Sequence, residues 1–262
     1  MRIRFAALLI LAVAPAFAAD EKPDIEVKTR AAEISVSIGK ELKADPALRA
    51  NLIAEGRRYV AEAVADAETE YKSNRAWFKD HKWSYDRSYT LRSVVAARYV
   101  SIVLDDGSYN GGAHPNSRLN TILWDRARKK RISIRPFFKE TADNGPTMTT
   151  LATYVRLAVA KERAVRRQDT SDDPPEKIVA DDKGLQEAVQ PLLLKIGPIS
   201  LAPSTEKTKS SGLTFHFSPD DVDAHAAGPY TIFVPWTELK PCLSPEGAAI
   251  FGGERPDGDD EL

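Results

Sequence analysis

Residues 25–29 and 33–38 alternate apolar and polar positions, with Ile25 and Val27, then Ile34, Val36 and Ile38, on one side. A period of two marks strands with one buried face, so a hairpin or two neighbouring strands are expected. The period changes after Asp45-Pro46, which offers an N-cap and a proline at the first helical position. Leu48, Leu52, Tyr59, Val60, Ala63, Val64, Ala67 and Tyr71 then share one helical stripe, predicting a helix to about Lys72 with that stripe in the core. Trp77, Phe78, Trp83, Tyr85 and Tyr89 follow closely and read as a helix-to-strand corner packed under the sheet.

Strand-like runs return at 88–95, 98–104 and 117–124, and after a polar turn at 125–131 again at 132–134. Together they predict an antiparallel meander. Two helices should follow, 147–166 with Leu151, Tyr154, Val155, Ala158 and Val159 inward, and 182–196 with Leu185, Val189, Leu192 and Leu193 inward. Asp172-Asp173-Pro174-Pro175 between them reads as a solvated loop. Strands are expected at 199–202, 213–217 and 230–234, with a short helix opening at Ser218-Pro219-Asp220-Asp221 and stopped by Gly228-Pro229. Helices that interrupt strands without strict alternation indicate an α+β fold, a mainly antiparallel sheet packed with helices.

The ends alter this picture. Arg2 and Arg4, an apolar run over 5–13 and Ala16-Phe17-Ala18 form a signal-peptide pattern over residues 1–19, too short to remain as a spanning anchor. The expected location is the periplasm or the exterior, with no stable membrane anchor after cleavage. Cys242 is the single cysteine, so no internal disulfide is available and a packed core must stabilise the chain, which is 42% hydrophobic. Losing Arg2 and Arg4 takes the formal net charge from -1 to -3, without the basic excess that nucleic-acid binding requires. Residues 252–262, rich in Gly, Pro and Asp, are expected to be a disordered acidic tail.

The most constrained backbone is Tyr109-Asn110-Gly111-Gly112-Ala113-His114-Pro115-Asn116, between two predicted strands. Asn110 and the glycines tolerate positive φ, while Pro115 fixes its own φ and pushes His114 toward extended geometry. Tyr109, Asn110, Gly111, Gly112, His114, Pro115 and Asn116 are therefore the candidate binding residues. The His114 imidazole either holds the loop through backbone carbonyls or takes part in recognition on a rigid sheet, and both roles are compatible. Asp105-Asp106-Gly107 lacks the paired histidines of a deacetylase metal site and reads as a polar turn after a strand. His114, His216 and His225, with Asp220, Asp221 and Asp223, match no recurrent ligand spacing, so no metal is assigned. Neither a Gly-x-Ser-x-Gly elbow nor a phosphate-loop or dinucleotide fingerprint occurs, so no catalytic residue and no cofactor is assigned.

Three pieces coincide in order: the 109–116 motif, the strands leading to Ile134-Arg135-Pro136-Phe137-Phe138, and the run from Phe217-Ser218-Pro219-Asp220 through Gly228-Pro229-Tyr230 to Val234-Pro235-Trp236-Thr237-Glu238-Leu239. Together they resemble the extracellular domain of the RsiV anti-sigma factors, which also occurs beside the catalytic domain of PdaC-type peptidoglycan deacetylases. The resemblance covers about residues 94–239, and residues 25–72 look like the smaller domain that usually precedes it. It implies a small N-terminal α/β part (23–93) joined to a larger C-terminal domain (94–245), a place in the cell envelope and, as in RsiV, binding of lysozyme. The chain has no room for a separate deacetylase domain and no cytoplasmic sigma-binding segment, so those activities do not carry over. The reading is a soluble envelope binding protein for lysozyme or cell-wall glycan, the alternative being an envelope hydrolase with a site around His114.

Overall fold

The computed structural model describes residues 22–168 and 173–259, so the signal-peptide pattern lies outside the described residues. The first strands, β1 (Ile25–Lys28) and β2 (Ala32–Ile38), form an antiparallel pair. Helix α1 (Pro46–Ser73) then carries the chain across the sheet, capped by the Asp45 carboxylate, which accepts from the Ala47 and Leu48 amides. Leu48, Leu52, Val60, Ala63 and Ala67 of the expected stripe are buried, while Tyr59, Val64 and Tyr71 are half-buried and packed against the same core. The crossover returns the chain parallel to β2 as β3 (Trp83–Val95).

An antiparallel meander follows, as the polar and apolar pattern predicts: β4 (Tyr99–Tyr109), β5 (Asn116–Asp125) and the short β6 (Lys130–Ile132). Sheet order is β1-β2-β3-β4-β5-β6, with β2–β3 the parallel pair. The expected domain boundary at 93/94 falls inside β3, one strand of this continuous sheet. Asp105-Asp106-Gly107, expected as a turn, stays within β4 and pairs with 86–88, because the hairpin reverses only after Tyr109.

The rest of the chain packs over one end of the sheet. Helix α2 (Pro146–Arg167) buries Met148, Leu151, Val155 and Val159. Where one helix over 182–196 is expected, only α4 (Lys183–Ala188) forms before the chain leaves helical geometry, and a separate short helix, α3 (Pro175–Asp181), precedes it. Pro191 disfavours helix at the residue before it, and the Arg156 guanidinium donates to the carbonyls of Gln186 and Val189 left without helical partners. A second sheet is built from β7 (Ile199–Leu201), β8 (Gly212–Phe217) and β9 (Tyr230–Pro235), all antiparallel, followed by α5 (Trp236–Leu239) and α6 (Pro245–Ile250). The architecture is α+β.

Two further expectations are corrected. No helix opens at Ser218: its Oγ accepts from the Leu119 amide instead of capping, and Asp220 adopts φ 72°, which breaks a helix. Nor is the chain disordered from residue 252 through Asp259. Gly252 N–H donates to Ser210, Trp236 Nε1 donates to Gly253, and the Asp259 carboxylate is buried against the Arg92 guanidinium. A composition typical of tails is overridden because a buried cation needs a counter-charge.

Candidate functional site

The 110–115 turn joins the ends of β4 and β5 and is held from two sides. On one side Gly111, at φ +89°, lets its backbone lie against Trp77: a Cβ there would stand 2.6 Å from Trp77 Cζ2. Trp77 is braced in turn, edge-on to Phe78 at 4.8 Å between centroids and stacked on His81 at 4.9 Å. Phe78 is buried among Tyr71 and Trp83 at the corner after α1. The aromatic corner is therefore packed under the sheet as the sequence suggests, and it also props the turn.

On the other side, the His114 ring stacks on His225 at 3.8 Å, tilted by 28°. His225 Nδ1 donates to Asp220 Oδ2 at 2.9 Å, so the carboxylate fixes both the tautomer and the ring. His114 Nδ1 lies 3.1 Å from the Pro115 carbonyl, which fixes the proton on that nitrogen. His114 thus holds the loop through one backbone carbonyl and one ring, while the turn itself stays exposed and Tyr109 keeps 38% of its surface open.

Beside the turn lies an open cleft of about 430 Å³, lined by Tyr59, Tyr85, Asp106, Arg118, Asp220 and Asp221 among others. Arg87 forms two 2.6 Å bonds to Asp106 and lies 4.1 Å over the Tyr59 ring. Burial alone would lower the Arg87 pKa, but Asp106 raises it, so this guanidinium is locked in the charged form. Burial and the Asp106 charge push the Tyr59 phenol well above its ordinary value, so Tyr59 is neutral in the working pH range. Ser117 Oγ donates to Asp105, and Asp221 accepts from the Ser218 amide. The Arg118 side chain has no hydrogen-bonding or ionic partner among the described residues. Asp106, Asp220 and Asp221 line the cleft against Arg118, with Arg87 behind Asp106, so the lining keeps a small acidic excess. Asp86 and Asp105 alternate to the other face of the sheet.

Of the histidines considered together in the sequence, His114 and His225 meet and His216 does not. His216 is buried in β8 with Nε2 2.8 Å from Ser200 Oγ, its pKa pushed down to about 4 by burial and by the Arg92 charge. Among the described residues, no group of three or more His, Cys, Asp or Glu side chains is placed to hold a metal ion. Cys242 is half-buried. Sequence reasoning missed Trp77 and the Asp220-His225 pair as supports, and Tyr59, Arg87 and Arg118 as neighbours. Only the alternation along β3 and β5, which puts Tyr85 and Arg87 on one face, hints at the grouping.

No sequence-family model matches the chain. No curated protein matches it. Solved structures do: a DUF3298 family member from Bacteroides fragilis NCTC 9343 has 14% identity and a TM-score of 0.50 over 84% of this chain and 92% of its own. A DUF3298 family protein from Pseudomonas aeruginosa PAO1 has 15% identity and a TM-score of 0.47 over 85% and 88%. The chain's structural neighbours are thus DUF3298 family proteins, the domain found in RsiV- and PdaC-like proteins, and the likeness to the first is one of fold.

Proposed function

We propose that this chain is a binding protein of the cell envelope, periplasmic or secreted, which recognises its partner through the 109–116 turn and the acidic cleft beside it. The observation that carries the reading is the combination of exposure and restraint. Trp77 and the His114–His225 stack hold the turn in one geometry while Tyr109 stays accessible, so little ordering entropy is lost on binding. An aromatic anchor on a rigid support is the usual centre of a protein interface.

The partner we propose is a basic protein of the lysozyme type. The aspartates around the cleft would steer such a partner and favour its docking orientation. The resemblance to RsiV supports the same choice. The reading is tested by adding the mature chain to a cell-wall lysis assay with hen lysozyme. Dose-dependent inhibition that weakens with Tyr109→Ala is the expected outcome. Full lysis at a large molar excess, with the chain instead sedimenting on insoluble peptidoglycan, would replace lysozyme by glycan.

A further inference from the structure

The large sheet ends on β1, which has a strand neighbour on one side only. Among the described residues nothing bonds the outer edge of Ile25–Lys28. Ile25 and Val27 turn toward α1, while Glu26 and Lys28 are exposed on the other face and pair with each other at 2.9 Å. Helix α1 crosses close by: a Cβ on Gly56 would lie 3.0 Å from Val36 Cγ1 and 3.3 Å from Ile25 Cδ1.

Between this edge and the first turns of α1 runs an open groove of about 450 Å³, floored by Ile25, Pro46, Ala50 and Ile53. Arg49 and Arg57 flank it, both exposed and without an acidic partner among the described residues. Three further cations beside α1 are paired, Arg131 with Glu55, Arg126 with Asp45 and Lys43 with Asp24, while Arg58 of α1 carries no ion pair among the described residues and does not line the groove. Of the charged residues lining the groove, Asp24 and Lys43 pair with each other, which leaves Arg49 and Arg57 as its unpaired charges among the described residues.

Arg49, Ile53 and Arg57 recur every four residues and share one helix face, the two arginine positions about 12 Å apart. In an extended chain, positions i and i+4 lie about 13 Å apart and share a face with i+2. We propose that the edge of β1 accepts an extended segment of a partner protein as an added strand, with acidic, apolar and acidic residues at alternate positions. The backbone pairs with β1, the apolar residue covers Ile53, and the two carboxylates reach Arg49 and Arg57. Backbone pairing supplies affinity in such complexes and the alternating side chains supply selectivity. The surface is separate from the 109–116 turn, since β1 lies three strands from β4.

The test uses a labelled seven-residue peptide with aspartates at its second and sixth positions, valine at its fourth and threonines elsewhere. Controls carry lysine for aspartate, or proline for valine. Anisotropy with the full mature chain is expected to show saturable binding of the acidic peptide, weakened at least tenfold by either control and by Arg49→Glu with Arg57→Glu. Hydrogen exchange should show new protection of the 25–28 amides on binding. Three results would each overturn the proposal: no binding at millimolar peptide, equal binding of the lysine peptide, or binding without protection of β1. Both arginines are exposed, so the variants should fold, which circular dichroism checks.

Discussion

Replacing Asp259 by alanine should destabilise a chain whose last residues look dispensable. The Arg92 and Asp259 side chains are 3% and 4% exposed, and Asp259 reaches both terminal nitrogens of the guanidinium. Burial alone would raise the Asp259 pKa, but Arg92 and Arg255 hold it below its ordinary value, so the carboxylate is charged. Arg255 bonds the same carboxylate at 2.7 Å and lies 5.0 Å over the Phe233 ring, which ties residues 252–259 to β9. Removing one member of a buried pair leaves an uncompensated charge and costs about 3–5 kcal/mol. For a chain of this size each kcal/mol moves Tm by about 2–4 °C, so Asp259→Ala should lower Tm by roughly 6–20 °C. Differential scanning fluorimetry at neutral pH reads this directly. Arg92 Nε has no hydrogen-bond partner, so the native pair is itself imperfectly satisfied. Arg92→Met combined with Asp259→Leu should therefore recover most of the loss, since an apolar pair removes the stranded charge. A Tm for Asp259→Ala within about 2 °C of the parent would refute the docked segment, because even a 1 kcal/mol loss moves Tm that far.

Further outcomes follow from the same contacts. His216 is held neutral, its pKa pushed down to about 4 from an ordinary 6.5, so the unfolded chain takes up that proton first. Stability is then full above pH 6.5 and falls as pH drops toward 4, by roughly 3 kcal/mol across the window. Urea unfolding midpoints should decline between pH 7 and 5, above the range where carboxylates titrate; a flat profile there contradicts the buried neutral imidazole. Gly111→Ala forces a side chain to φ +89° and against Trp77, a strain of about 1–3 kcal/mol, so the turn should loosen while the fold remains. Lower backbone order parameters over 110–114 and a Tm fall of no more than about 2–12 °C are expected, and unchanged order parameters would show that Trp77 does not brace the turn.

Periodicity made the first strands legible because β2 has one buried face, while β4 and β5, buried on both faces over 99–102 and 122–125, read instead as short apolar runs, and Asp45-Pro46 marks the start of α1 with a cap the structure uses. It failed where tertiary partners claim local groups. Ser218 and Asp221 have the chemistry of a helix start, yet the first serves the Leu119 amide and the second closes a turn. Asp259 sits in a stretch composed like a solvated tail, and only the position of Arg92, 167 residues earlier, explains its burial. At the candidate site the turn could be read from its glycines and proline. Its supports could not, because Trp77 and His225 reach it from distant segments through ring contacts that leave no sequence period.

Calorimetric titration of the mature chain with hen lysozyme, at low and at physiological salt, tests the proposed recognition surface most directly. Saturable binding is expected, weaker at higher salt because the cleft is acidic, and weaker by about tenfold or more in Tyr109→Ala, as for an interface anchor. His114→Ala should reduce affinity less, since it frees the turn from His225 without removing the anchor. No heat of binding at tens of micromolar, with parent and variants folded, would contradict the lysozyme reading.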